Sequence, residues 1–140
     1  MKSYLLGGVI MFALVLGAGR SFAHHSFTAE FDGNKPITLT GIVTKVEWTN
    51  PHVWFYVNVK DEKSGEVTNW GAEMGPPHGL QRRGWRRETL KLGDEVTVAG
   101  SMAKNGAKRM NASKVTLTST GGRPGETLDA ASSQNGAVVD

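Results

Sequence analysis

The sequence predicts an all-β fold: a small five-stranded barrel of the oligonucleotide/oligosaccharide-binding (OB) type, with one short helix between the third and fourth strands. Three observations lead there. Five β-like runs rich in Val, Ile, Thr and aromatic residues lie between Ile37 and Ser119. The first is long and carries an internal glycine, Gly41, as a strand does when it bends or bulges. One helix-compatible stretch, opened by Pro76-Pro77 and closed by Gly84, falls between the third and fourth runs. A small β-sandwich is the alternative arrangement of the same strands.

Residues 1–23 precede that domain and read as a secretory signal peptide. Lys2 supplies the positive start, Leu5 to Ala18 an apolar run, and Ser21 and Ala23 the small residues that a signal peptidase reads before its cut. The run is too short and too interrupted by glycine for a membrane span. Cleavage after Ala23 leaves a mature chain that begins His24-His25-Ser26-Phe27. His24 to Pro36 is an irregular lead-in with Asp32-Gly33-Asn34 as turn chemistry.

The first strand is expected over Ile37 to Trp48, followed by a turn at Asn50-Pro51. The second, His52 to Lys60, shows the cleanest alternation: Val53, Phe55, Val57 and Val59 on one face, His52, Trp54, Tyr56 and Asn58 on the other. A polar loop over Asp61 to Gly65 joins it to the third, Glu66 to Met74. After the helical stretch, the fourth run (Asp94 to Met102) and the fifth (Met110 to Ser119) flank a Lys104-Asn105-Gly106 turn. From Thr120 the chain is rich in Gly, Ser, Pro and Asn and is expected to be a disordered tail. The predicted organisation is therefore residues 1–23 as signal peptide, 24–119 as the OB-like domain and 120–140 as tail.

Composition narrows the function classes. The formal net charge of +3 drops to about one positive charge once Lys2 and Arg20 leave with the signal, which argues against a polybasic nucleic-acid binder. There is no cysteine, hence no disulfide and no lipidated anchor. The expectation is a soluble exported protein with no membrane span, periplasmic rather than fully secreted.

The motifs Ala23-His24-His25-Ser26-Phe27, Phe31-Asp32 and Trp48-Thr49-Asn50-Pro51-His52 occur in order, followed by Trp70 with Glu73, Gly84-Trp85, and Leu92-Gly93-Asp94 with Val96, Val98 and Gly100. On these residues, from Ala23 to Leu117, the chain resembles a family of small exported bacterial proteins catalogued only as a domain of unknown function (family 6152). The resemblance implies export and one small β-rich domain. It carries no established activity and so no catalytic residue.

Three constellations could carry chemistry. The first is metal binding by His24, His25, His52 and His78. A mature N-terminal His24 offers its amine and its imidazole to one ion, and a second imidazole from the barrel, His52 before His78, completes a nitrogen set suited to copper(II). Glu30, Asp32 and Glu73 are possible carboxylate supplements. Met74, Met102 and Met110 suit Cu(I), though a thioether in a small barrel usually fills the core. The usual metal spacings are absent, and a floppy terminus with a turn-capping His52 explains the same residues. The second is an outward aromatic face of Trp54 and Tyr56, extended by Trp70, for a small ligand or a periplasmic protein partner; the competing explanation is a second small core beneath the tail or lead-in. The third is Arg82, Arg83, Arg86 and Arg87 around Trp85, an anion-binding cluster or a connector whose tryptophan tucks into the barrel bottom while the arginines stay solvated. No nucleophile elbow, phosphate loop or acid/base dyad stands out. The reading is a non-enzymatic exported binding protein, copper(II) first among its cofactors, with nucleic acid excluded as a partner.

Overall fold

A computed structural model describes residues 28–118 and 125–130 of the chain. The expected signal peptide, His24 and His25 lie outside the described residues. Among the described residues the structure is mostly β: β1 (Phe31–Glu47), β2 (Trp54–Lys60), β3 (Val67–Glu73), the short helix α1 (Pro77–Arg82), β4 (Glu95–Ala103), β5 (Arg109–Leu117) and β6 (Thr127–Asp129). No helix among the described residues is long and apolar enough to cross a membrane.

The strands form one sheet in the order β3-β2-β1-β4-β5-β6. Neighbours along that order run antiparallel. β3 also pairs in parallel with β5 through Gly71–Arg109, Ala72–Met110 and Glu73–Asn111, so strands β1 to β5 close into a ring. β1 serves both sides of that ring. Its first part pairs with β4, its last part with β2, and Ile42 takes a partner from each. β1 starts at Phe31, earlier than Ile37, because the lead-in pairs with the end of β4 (Phe31 opposite Ala103) across an irregular register up to Pro36.

Gly41 is needed for a reason different from a local bend. A Cβ there would lie 2.5 Å from the Asn58 carbonyl oxygen, so β2 can approach only a bare backbone. The bulge itself sits at Thr44, the residue left out between the pairs Val43–Val57 and Lys45–Tyr56. It shifts the inward phase of β1 from Val43 to Val46 and turns Lys45 outward. β5 does the same at Ser113, between Ala112 opposite Gly100 and Lys114 opposite Ala99, so its buried residues run Met110, Ala112, then Val115, Leu117.

The ring encloses one core, in which Phe55, Val57, Val96, Val98, Leu80 and Trp85 are fully buried or nearly so. Met74 and Met110 are buried and Met102 packs against them, as core-filling thioethers do. α1 begins on Pro76-Pro77 and ends at Arg83, with Gly84 in the left-handed region (φ 93°) directly after it. Leu80 and Trp85 drop from this segment into the core.

The tail corrects the expectation of disorder over 120–140 at one place. Residues 127–129 form β6 on the β5 edge that β3 vacates. Ala130 then joins the two strands: its N–H donates to Ser113 O (2.8 Å), and its carbonyl accepts from Gly75 N–H (3.0 Å). Ala130 is fully buried and Leu128 packs against the core.

Candidate ligand-binding face

The outer surface of β2, β3 and β5 is positioned by register. The pairs Trp54–Glu73, Tyr56–Gly71 and Asn58–Asn69 place these six residues on one face. The parallel pairing sets Arg109 beside Gly71 and Asn111 beside Glu73 on the same surface. Val53, Phe55 and Val57 point the other way and are buried, while Trp54 and Tyr56 are half-buried, as the alternation of β2 predicts.

Trp70 corrects the expected extension of this face. It pairs with Val57, so it points inward, and it is 6% exposed within the core. Its even position among Asn69, Trp70 and Gly71 gave no clue to phase, because β3 lacks a clean alternation and its facing is decided by pairing with β2.

Gly71 sits at the centre of the outer face. A Cβ there would touch the Tyr56 ring at 3.3 Å and the Trp54 ring at 3.6 Å, so both rings lean over the bare backbone. The Arg109 guanidinium lies over the Trp54 ring, 4.7 Å from its centroid, and Lys108 Nζ is 5.2 Å from the centroid of Trp70. On the opposite side, Lys45 is paired with Glu47 and stands 5.3 Å from the Tyr56 centroid. The Tyr56 hydroxyl donates to Glu47 Oε2 (3.0 Å). The bond from Lys45, then that from Tyr56, holds the Glu47 carboxyl below its usual range, and Glu47 in turn raises Lys45. Burial, then the bond to Glu47, raises the Tyr56 phenol. Glu47, Trp54, Tyr56, Gly71, Lys108 and Arg109 bound a concavity of about 300 Å³.

At the upper end of the face, His52 Nδ1 contacts Oε1 of Glu73. Glu73 is 7% exposed. Burial pushes its carboxyl above the usual range and Glu30 adds to that, while His52 and Arg109 pull it down. A carboxylate on Nδ1 orients an imidazole and leaves Nε2 as the lone-pair donor, the arrangement found around many histidine metal ligands. The Glu30 end of the lead-in is pinned nearby: Lys104 N–H donates to Glu30 O (2.9 Å), and Lys104 Nζ reaches Thr28 O. Glu30 and Arg109 line one further cavity of about 210 Å³, so the lead-in and the aromatic face are contiguous.

His78 is exposed on α1. Asp32 is occupied by the Asn34 N–H (3.0 Å) and Lys35 (3.7 Å). Among the described residues no three of His, Asp and Glu gather as a metal-ligand group. The arginine cluster behaves mostly as a connector. Trp85 is fully buried and donates Nε1–H to Asp129 O (2.7 Å). Arg83 pairs with Asp129 (3.7 Å), Arg86 donates to Trp85 O (3.2 Å) and Arg87 to Trp48 O (3.4 Å); Arg82 is exposed in the last turn of α1.

Sequence reasoning missed Lys45, Glu47, Gly71, Lys108 and Arg109. The only signal for the last two was their place just beyond the Lys104-Asn105-Gly106 turn. Their approach to the aromatic face depends on the β3–β5 pairing, which joins residues 38 positions apart (Gly71 with Arg109).

Residues 13–112 match the family model described as "Family of unknown function (DUF6152)". A search of the curated proteins finds no match. Among solved structures, the crystal structure of the ZRD-deleted mutant of TiaS in complex with agmatine is similar at a TM-score of 0.45 and 21% identity, over 71% of this chain and 27% of that one. The chain thus spans little more than a quarter of that protein, and a likeness at this level carries no argument about function.

Proposed function

We propose, on the premise that the chain belongs to the family of unknown function DUF6152, that it is an exported periplasmic binding protein that holds one copper(II) ion between its mature N-terminus and His52. The protein is read as an OB-type barrel without enzymatic activity. The closure of five strands through a parallel β3–β5 pairing, with a helix between β3 and β4, supports that reading of the fold.

One observation carries the metal reading: His52 is oriented by a buried carboxylate on Nδ1 next to the place where the lead-in is pinned. His24 lies four residue steps before Thr28, a reach of at most about 14 Å. The amine and imidazole of His24 would chelate the ion and His52 Nε2 would supply the third nitrogen, a set that suits Cu(II). Glu73 would act through His52, as a positioning residue. His25 is the alternative terminal ligand, and His78 has no comparable support.

The test is copper(II) titration of the untagged mature protein, whose start at His24 is first verified by intact-mass measurement. One ion per chain is expected, with mainly nitrogen ligands by electron paramagnetic resonance. His24→Ala should weaken binding most, His52→Ala next and His78→Ala least. Affinity should fall with pH as the imidazoles protonate. Copper binding by His52→Ala equal to wild type would show that the barrel takes no part, and the reading would fail.

A further inference from the structure

We propose that the concavity over Gly71 is a second binding site, independent of the metal reading, for a small molecule that carries an oxyanion, phosphate or carboxylate, on an apolar or aromatic body. Both halves of that chemistry are built into the face. The Arg109 guanidinium lies over Trp54, 4.7 Å from the ring centroid, which places its five N–H donors at the edge of the concavity. Lys108 stands beside it. Among the described residues neither cation has a carboxylate at ion-pair distance; Arg109 feels the buried Glu73 only at longer range, and Glu73 is itself paired with His52. The one acid on the opposite wall, Glu47, is already occupied by Lys45 and by the Tyr56 hydroxyl and adds little repulsion.

The floor serves the rest of the ligand. Gly71 lacks the Cβ that would press on the Tyr56 and Trp54 rings at 3.3 and 3.6 Å, and those rings form apolar walls beside the cations. A space of about 300 Å³ accepts a single-ring molecule and excludes a longer polymer from full burial. A guanidinium over an aromatic ring, beside a glycine floor, supplies what the recognition of one oxyanion requires: charged donors, partial exclusion of water and a contact surface for the attached group.

The test uses phenyl phosphate as probe, with inorganic phosphate and phenol as its two halves, titrated into the full mature chain in the presence of a chelator and followed by calorimetry. Phenyl phosphate should bind saturably, inorganic phosphate more weakly and phenol weakest. Arg109→Gln and Lys108→Gln should each weaken phenyl phosphate by about tenfold, as expected for loss of one charge-assisted contact. Both substitutions are at exposed positions, and circular dichroism with thermal melting checks that the fold survives. Gly71→Ala should also weaken it, by raising the floor. The chelator removes any bound metal, which separates failure of this site from failure of the metal reading. Absence of saturable binding at about 10 mM phenyl phosphate, or equal binding by Arg109→Gln, would overturn the proposal. Co-sedimentation with phosphatidylglycerol vesicles that exceeds phenyl phosphate binding and vanishes in Arg109→Gln would also overturn it, since the face would then be a membrane contact.

Discussion

Replacing Trp85 tests how the helix, the core and β6 depend on one another. The side chain is fully buried, and its Nε1–H donates to the Asp129 carbonyl at 2.7 Å, from the α1 exit to the end of β6. Trp85→Phe keeps most of the apolar contact but removes the donor. A net hydrogen bond contributes about 1 kcal/mol, and the loss of this part-buried bond should therefore cost about 1 kcal/mol. Trp85→Ala adds the cavity and should cost about 3–5 kcal/mol, a large part of a small domain's stability. The assay is urea unfolding of the mature chain by far-ultraviolet circular dichroism, with an unchanged denaturant slope as the sign that only stability moved. In thermal melts the Phe variant should fall by roughly 4–8 °C. The decisive comparison is a double-mutant cycle with a chain ended after Thr118. There the carbonyl acceptor is already gone, so Trp85→Phe should cost about 1 kcal/mol less than in the full chain. A loss below about 0.5 kcal/mol in the full chain, or an equal loss in both backgrounds, would refute the docking of β6 onto this indole.

Gly100→Ala should destabilise by about 3 kcal/mol or more, because the added Cβ would lie 2.0 Å from the Asn111 carbonyl oxygen, which is backbone and cannot rotate away; a urea midpoint within error of wild type would contradict that contact. Val57 is 1% exposed and Tyr56 half-buried. Val57→Asp should therefore cost several kcal/mol and Tyr56→Ser about 1, and equal damage would sink the facing of β2. The Asp61 carboxyl is held below its usual range by the Ser64 N–H, the Ser64 hydroxyl and the Lys63 N–H. Because the folded value is the lower one, its stabilisation is present above about pH 4 and is lost as pH falls through the folded value. The melting-temperature gap between wild type and Asp61→Ala should accordingly be widest near neutrality and narrow in acid; a gap that widens in acid would reverse the assignment. Replacing Arg82, Arg83, Arg86 and Arg87 with Gln should leave the fold intact, and neither protein should bind single-stranded DNA at physiological salt in a fluorescence-anisotropy titration.

Local patterns were sufficient for much of the fold. Alternation along β2 predicted its buried and outer faces, because side chains of a strand point to opposite sides whatever its partners are. Pro76-Pro77 and Gly84 marked the ends of α1, since each acts through its own backbone angles. The burial of Trp85 agreed with the plainer of two readings of the arginine cluster. The same alternation set Trp54 and Tyr56 on the outer side of β2. Tertiary structure decided everything that depends on register between distant segments. The bulges at Thr44 and Ser113 set which residues of β1 and β5 turn inward, Trp70 went to the core opposite Val57, and three residues of a polar tail became β6 by filling a gap on the β5 edge. The same holds for the face: Glu73 meets His52, and Arg109 lies over Trp54 beside Gly71, only because β3 pairs with β2 on one side and with β5 on the other. A strand's own residues determine its alternation, but the neighbour it pairs with, and at what offset, is a property of the closed sheet.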